Sequence, residues 1–279
     1  MKPDRYAVIG NPVEHSRSPW IHARFAQATG QPVAYGRLLA PLDGFAATVR
    51  QFRQEGGRGC NVTVPFKFEA AQLADRLSER ARMAGAANTL RFDADGTYGD
   101  NTDGIGLVRD ITLRAGVDLA GRDVLLIGAG GGAAGVLGAF IEAGVRRLVV
   151  ANRTPEKAHD LVDRHAELAR RHAVELRACE LGAVGTGFHV VVNATASSLQ
   201  GSAVPVAGSV LAHGALACDM MYGPAAQGFL QWAKAHGATG RDGLGMLVEQ
   251  AAESFHVWRA VRPQTAGLLQ ELRALLARE

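Results

Sequence analysis

The chain has 279 residues, of which 47% are hydrophobic and 20% charged, a composition typical of a globular protein with one large or two modest domains. Its 30 basic and 27 acidic residues are interspersed and give a net charge of +3, which argues against nucleic-acid binding but suits an anionic small molecule. Three cysteines without C-x-x-C spacing argue against disulfides and zinc, and no apolar run has the length of a membrane span. We therefore expect a cytoplasmic protein without a metal.

The first half of the chain alternates short runs rich in Val, Ile and Leu with longer helical patterns. We expect strands at 6–9, 34–39 and 60–64, with helices at 20–29 and 42–55 between them. Because strands that are separated by helices are usually joined by crossover connections, this order predicts a mostly parallel sheet covered by helices.

A second block of alternating strands and helices begins near Gly121, so a boundary between two domains is expected in the region 103–121. Pro263 separates two helical patterns at the end of the chain, and periodicity alone assigns them to neither block. The expected elements are strands at 123–127, 147–151, 189–193 and 216–220, a helix that ends near 143, and helices at 246–261 and 264–276.

A glycine-rich segment follows the strongly apolar strand at 123–127 and opens a helical pattern, which is the context of a dinucleotide-binding loop. Gly128 would permit the tight turn and Gly130 the close approach of a pyrophosphate, while Ala133 would let helix and strand pack closely. The N–H groups at the start of the helix would bind the anion. The segment reads Gly128, Ala129, Gly130, Gly131, Gly132 and Ala133.

The residues after the next strand favour NADP over NAD. Where an NAD enzyme places a carboxylate for the ribose diol, this sequence has Asn152, Arg153 and Thr154, followed by Lys157. Arg153 could grip or stack over the adenosine phosphate end, with a hydroxyl from Thr154 and a charge from Lys157. The alternative is that Arg153 and Lys157 only solvate the start of a helix.

Polar residues cluster where strands of the first half end. Asn61, Thr63 and Pro65 alternate with apolar residues and are expected on one strand face, which directs Lys67 toward a cleft at the strand end. Asn88 lies between small residues, and Asp103 follows an Asn-Thr pair. Each of these segments is also typical of a turn or a helix cap without a functional role.

Near the N-terminus, a segment with two serines leads from the first strand into a helix. Ser18 is a plausible N-cap with Pro19 at the first helical position. Ser16 and Ser18 would lie on one side of an extended strip, where they could instead bind a substrate carboxylate near the helix start.

Taken together, these motifs closely resemble the shikimate dehydrogenase family, and they occur in the family's order over nearly the whole chain. The resemblance implies an α/β fold with two domains, a mostly parallel open sheet for substrate and a Rossmann-type NADP-binding domain, with the C-terminal helices returning to the substrate domain. The implied ranges are 1–105 with 240–279, and 106–239. The matching segments are 7–12 with Ser16, Ser18 and Pro19, 61–67, 87–89, 101–104, the glycine loop, 152–154 and 243–251.

The family's activity is the NADP-dependent reduction of 3-dehydroshikimate to shikimate in aromatic amino acid biosynthesis. By resemblance, Lys67 and Asp103 form the catalytic pair, and Thr195, Gly243 and Met246 join the glycine loop and 152–157 around the cofactor. An ammonium at Lys67 would stabilise the alkoxide that forms when a ketone accepts hydride and would deliver the proton. The implied substrate-binding residues are Ser16, Ser18, Thr63, Asn88, Asp103, Tyr222 and Gln250.

Other interpretations stay open. A quinate/shikimate or aminoshikimate dehydrogenase with broader substrate or NAD use would share these motifs, whereas a non-catalytic NADP-binding regulator would be expected to lose Lys67 or Asp103. The sequence departs from the family pattern in the segment 193–199 and at Gly132, which leaves the expected function unchanged but affects the expected cofactor contacts and the turnover. The chain is expected to be a monomer or a homodimer.

Overall fold

The computed structural model describes residues 2–195 and 203–278, and the chain separates into two compact units. The first unit comprises Met1–Gly106 and Val248–Glu279, and the second comprises Leu107–Leu247. The α/β class and the return of the C-terminal helices to the first unit are as the sequence indicates.

The first unit begins with alternating strands and helices and then forms a hairpin. Its elements are β1 (Asp4–Gly10), α1 (Ser18–Thr29), β2 (Val33–Leu39), α2 (Phe45–Gln54), β3 (Gly57–Val62), α3 (Lys67–Leu73), β4 (Arg76–Leu77), α4 (Glu79–Ala84), β5 (Thr89–Asp93) and β6 (Gly96–Asp100).

The sheet of the first unit has the order β2-β1-β3-β5-β6-β4. β1 is parallel to β2 and β3, and β4 is parallel to β6, but β5 runs antiparallel to both of its neighbours. The expectation of a mostly parallel sheet therefore holds for the N-terminal strands and not for the hairpin. The hairpin turns at Ala94-Asp95, and Gly96, which pairs with Asp93 at the start of β6, has a φ of +139°, a conformation that favours glycine.

The expected strand at 60–64 ends earlier, at Val62. The Phe66 N–H donates to the Thr63 carbonyl at 3.0 Å, which closes a turn, and Pro65 has no N–H with which to extend a strand. The prediction that Asn61, Thr63 and Pro65 share a strand face is therefore wrong, and Lys67 begins α3 directly after the turn.

The chain passes into the second unit through α5 (Asp103–Arg109), which continues as a π-helical segment at Asp110–Arg114. The other elements there are β7 (Asp123–Ile127), α6 (Gly131–Glu142), β8 (Arg147–Asn152), α7 (Pro155–Arg171), β9 (Glu175–Glu180), β10 (Phe188–Asn193), β11 (Leu211–Asp219), α8 (Gln227–Ala235) and β12 (Thr239–Arg241), with short 3-10 turns at Gly208–Val210 and Gly223–Ala226.

The second sheet is entirely parallel in its described pairings, with the order β12-β11-β10-β7-β8-β9. From the central β7, the strand order runs through β8 to β9 on one side and through β10 and β11 to β12 on the other. This is the doubly wound order of dinucleotide-binding domains. The strands are almost continuously apolar, and Leu125, Val149 and Val191 are fully buried, as expected for a sheet covered on both faces. The Rossmann-type fold is confirmed.

The chain returns to the first unit through α9 (Leu244–Arg259) and ends in α10 (Ala266–Leu276). Residues 240–247, which the sequence assigned to the substrate domain, fall in the second unit. They do so because β12 pairs with β11, and because the Arg241 guanidinium forms a two-pronged ion pair with the buried Asp110 carboxylate at 2.5 and 2.6 Å.

Candidate active site

Lys67 and Asp103 form a close ion pair in the first unit. Lys67 is the first residue of α3 and Asp103 the first of α5, and the Lys67 Nζ lies 2.5 Å from the Asp103 Oδ2. The side chains are 15% and 5% exposed, so the pair is almost withdrawn from water, with Lys67 the more exposed of the two. Because an ammonium carries three hydrogens, Lys67 can engage Asp103 and still donate to another oxygen.

Asn88 holds the other oxygen of the Asp103 carboxylate. Its Nδ2 donates to Asp103 Oδ1 at 2.9 Å and lies 3.2 Å from the Gln250 Oε1 on α9. Its Oδ1 accepts the Thr102 N–H at 2.8 Å, which fixes the orientation of the amide because a backbone N–H can only donate. The structure thus brings together Lys67, Asn88, Asp103 and Gln250.

A second group of polar side chains lies next to Asn88, and the sequence analysis assigned its members no role. Asn61 Nδ2 contacts Ser254 Oγ at 2.9 Å and Thr89 Oγ1 at 3.2 Å, and all three side chains are buried. Thr102 Oγ1 lies 3.1 Å from Ser254 Oγ. One signal was available, since Ser254 follows Gln250 by four residues and therefore shares its face of α9.

The two serines lie at the start of α1. Ser18 is the first helical residue and not the N-cap, since Arg17 occupies that position and the Ser18 N–H donates to Ser16 Oγ at 3.3 Å. Thr63 packs against Gly10, where a Cβ would lie 2.3 Å from the Thr63 methyl group. This contact places the turn that precedes α3 beside the end of β1, from which the serine segment departs.

Two buried aromatic groups lie close to this polar region. Tyr35 donates from its hydroxyl to Asn61 Oδ1 at 2.7 Å, also hydrogen-bonds Ser18, and has a pKa raised by burial, so it is a neutral donor. His22 stacks on Tyr35 with ring centroids 4.2 Å apart, and burial lowers its pKa to about 3. His22 on α1 and His165 on α7 are both buried.

In the second unit, the glycine loop lies between β7 and α6 as the sequence indicates. Gly128 has a φ of +112°, a conformation that favours glycine, and a Cβ there would lie 3.1 Å from the Thr195 methyl group. A Cβ on Gly130, the N-cap of α6, would meet no atom within 4 Å. Open space beside a bare backbone at a helix N-terminus fits the pyrophosphate of a dinucleotide. Ala129, Gly131, Gly132 and Ala133 complete the loop and the first turn of α6.

The predicted phosphate-recognition residues follow the adjacent strand. β7 and β8 are parallel neighbours, with Ile127 opposite Ala151, so residues 152–157 lie at the same sheet edge as the glycine loop. Asn152 Nδ2 donates to the Thr154 carbonyl at 2.9 Å and braces the turn into α7. Arg153, Thr154 and Lys157 are exposed at this edge, available to a ligand.

The same edge carries a polar pair at the ends of β10 and β11. Asn193 Nδ2 donates to the buried Asp219 Oδ2 at 3.1 Å, and Asn193 Oδ1 accepts from Thr195 Oγ1 at 2.7 Å. Asp219 Oδ1 accepts the Met221 N–H at 2.8 Å, which braces the segment that leads to Tyr222. Sequence reasoning did not single out Asp219.

Four further predictions concern this unit. Gly243 donates its N–H to the Met221 carbonyl at 2.8 Å, and a Cβ there would lie 2.3 Å from the Met220 carbonyl oxygen, so close backbone packing explains this glycine. Met246 is buried in α9. Tyr222 belongs to the second unit. The altered segment at 193–199 lies outside the described residues beyond Thr195.

Neither a metal-binding cluster nor a membrane-spanning helix occurs among the described residues. In the ranges 2–195 and 203–278, no three His, Cys, Asp or Glu side chains are grouped so that they could hold a metal ion. Within the same ranges, no helix combines the length and the apolar character that crossing a bilayer requires.

Three family models match the chain. The models are described as the shikimate dehydrogenase substrate binding domain for residues 8–90, shikimate / quinate 5-dehydrogenase for residues 110–200, and the shikimate 5'-dehydrogenase C-terminal domain for residues 243–273. Together they match parts of both units.

Similar proteins extend this match over the full length. A protein of Methylibium petroleiphilum named shikimate dehydrogenase (NADP(+)) is 66% identical over 279 residues, with 98% of this chain and 95% of that protein covered. The crystal structure of an Ael1 enzyme from Pseudomonas putida is 47% identical, with a TM-score of 0.87 over 96% of this chain and 98% of that one. Shikimate 5-dehydrogenase of Thermus thermophilus in complex with NADP(H) and shikimate is 31% identical, with a TM-score of 0.84 over 97% and 99% of the two chains. The chain belongs to the shikimate dehydrogenase family.

Proposed function

We propose that this protein catalyses the reversible, NADP-dependent reduction of 3-dehydroshikimate to shikimate. The observation that carries the proposal is the nearly buried Lys67–Asp103 pair, 2.5 Å apart, held by Asn88 beside Gln250. The names of the relatives, which are shikimate dehydrogenases that use NADP, support the substrate and the cofactor.

The polar groups of the first unit match the two ends of such a substrate. Ser16, Ser18 and Thr63 lie around the start of α1 and the end of β1, and we assign them to the ring carboxylate. Asn88 and Gln250 offer amide groups next to Asp103, and we assign these three residues to the ring hydroxyls. Tyr222 is assigned to the carboxylate by family resemblance.

The catalytic pair supplies the proton. As hydride reaches the carbonyl carbon, the carbonyl oxygen gains negative charge, which the Lys67 ammonium stabilises before donating a proton to form the hydroxyl. Asp103 holds the ammonium in place, and solvent returns the proton to Lys67. In the reverse direction, neutral Lys67 accepts the hydroxyl proton as hydride leaves the same carbon. Asn88 keeps the Asp103 carboxylate oriented in both directions.

We assign the NADP site to the carboxyl edge of the second sheet. NADP supplies the hydride acceptor or, when reduced, the hydride donor. The backbone at 128–133 would bind the pyrophosphate, and Asn152, Arg153, Thr154 and Lys157 the adenosine phosphate, because a cationic edge favours an additional phosphate group. Thr195, Gly243 and Met246 are proposed for the nicotinamide side. The expected cytoplasmic location and the choice between monomer and homodimer stay predictions.

A two-by-two assay tests the proposal, with shikimate or quinate as the acid and NADP or NAD as the cofactor, followed by the absorbance of reduced nicotinamide. We expect shikimate with NADP to give the highest kcat/KM. A preference for quinate or for NAD would assign the chain to the broader dehydrogenase. Measurable NADP binding without turnover of any acid would favour the non-catalytic regulator.

A further inference from the structure

A continuous run of buried hydroxyl and amide groups leads from Tyr35 to Asp103. The successive heavy-atom distances are 2.7 Å from Tyr35 to Asn61, 2.9 Å from Asn61 to Ser254, 2.8 Å from Ser254 to Thr89, 2.9 Å from Thr89 to Asn88 and 2.9 Å from Asn88 to Asp103. The run ends on the oxygen of Asp103 that Lys67 does not contact.

The chemistry of the amide and carbonyl groups fixes the direction of the hydrogen bonds that they make in this run. Asn61 Nδ2 faces the Asn88 backbone carbonyl at 3.2 Å, which can only accept, so Asn61 also donates to Ser254. The Asn88 amide oxygen can only accept, so the single Thr89 hydroxyl hydrogen points to it. The single Ser254 hydroxyl hydrogen faces three acceptors, Thr89 Oγ1 at 2.8 Å and, both at 3.1 Å, Thr102 Oγ1 and the Gln250 backbone carbonyl, of which Thr89 is the closest. With the Ser254 hydrogen on Thr89, its closest acceptor, every donor in the run points toward the Asp103 carboxylate.

Ser254 is the member of this run that joins separate elements. Its hydroxyl, fully buried on α9, contacts Asn61 on β3, Thr89 on β5 and Thr102 just before α5. Hydrogen bonds that polarise one another in one direction are stronger than isolated ones, and an unsatisfied member is costly at a buried position.

We infer that Ser254 is a positioning residue for the catalytic pair, an inference that rests on the proposed function. Its hydroxyl donates to Thr89, which keeps the Thr89 hydrogen directed at Asn88. This restrains the Asn88 amide so that its Nδ2 holds Asp103 Oδ1 and leaves Oδ2 to Lys67. Without the Ser254 hydroxyl, Thr89 loses its 2.8 Å contact and keeps only the longer contact from Asn61 at 3.2 Å, so the geometry between Asp103 and Lys67 becomes less well defined.

The test is a double-mutant cycle on the full chain with shikimate and NADP. We expect Ser254→Ala and Thr89→Val each to lower kcat about tenfold, with KM for NADP unchanged, because the two variants interrupt the same run. For the same reason, we expect the double variant to fall no more than about threefold below the slower single variant. Thr265→Val is the matched control, since it removes another buried hydroxyl, which bonds Glu249 on α9 at 2.6 Å and lies outside the run.

The control should show a loss of thermal stability similar to that of Ser254→Ala with kcat within about twofold of wild type. Unchanged kcat in Ser254→Ala, fully additive losses in the double variant, or an equal loss of kcat in Thr265→Val would each overturn the inference. Inactive wild-type protein would contradict the proposed function and this inference with it, whereas active wild type with any of these three results contradicts the inference alone.

Discussion

Replacing His22 by phenylalanine should make the protein more resistant to acid. His22 has no exposed surface, and burial lowers the pKa of its imidazole from 6.5 to about 3. The native state therefore holds His22 neutral, while the unfolded chain binds a proton below its ordinary pKa. Stability from this residue is fully present above pH 6.5 and is lost as the pH falls from there toward 3.

The size of this loss of stability follows from the difference in proton binding between the native and the unfolded state. At pH 5 the unfolded chain gains about 2 kcal/mol from protonating this one histidine, since each unit below the ordinary pKa contributes about 1.4 kcal/mol. The packing change from imidazole to the phenyl ring alters stability equally at both pH values. The contribution of buried His165, whose pKa burial also lowers, is present in both proteins and cancels.

The assay is urea unfolding at pH 7 and pH 5 in a Trp232→Phe background, so that the fluorescence comes from Trp20 and Trp258, which belong to the same unit as His22. We expect wild type to lose about 2 kcal/mol more than His22→Phe between the two pH values. Equal losses in the two proteins would refute the reasoning that His22 stays neutral in the native state.

Three further substitutions test the cofactor edge. Arg153→Ala should lower kcat/KM for NADP about tenfold or more while changing that for NAD less than about threefold, and equal effects on both would show that Arg153 does not contact the additional phosphate. Gly130→Ala should leave the melting temperature unchanged, because the added methyl group meets no atom within 4 Å. The variant should raise KM for NADP, and an unchanged KM would place the pyrophosphate elsewhere. Gly243→Ala should lower stability by about 1–3 kcal/mol because its Cβ would meet the Met220 carbonyl, and an unchanged melting temperature would contradict that packing.

The Rossmann-type unit could be predicted well from the sequence because its signals are local. Its central strands are continuous runs of Val, Ile and Leu, and the glycine spacing follows β7 directly. β12 was not predicted, because Thr239-Gly240-Arg241 has neither apolar alternation nor length, and only its pairing with β11 makes it a strand. The π-helical segment after α5 likewise has no local signal.

The first unit was harder to predict because its site is assembled from distant parts of the chain. Lys67 and Asp103 could be selected from their positions and from family resemblance, but the contact of Asn61 with Ser254 joins residues 193 positions apart. Polar residues such as Thr89 and Ser254 look like ordinary strand and helix residues until the fold buries them together. The sequence predicted that β3 ends at residue 64 and not at Val62, because the alternation of polar and apolar residues continues through the turn that follows the strand.

The central claim, that Lys67 transfers the proton, is tested most directly by Lys67→Arg and Lys67→Met in the shikimate and NADP assay, with NADP affinity measured separately by fluorescence. Arginine keeps the positive charge but does not release a proton near neutral pH. We expect both variants to bind NADP as wild type does and to lose about a thousandfold in kcat. A Lys67→Arg variant that retains kcat within about tenfold of wild type would contradict the claim, because charge at this position would then be sufficient.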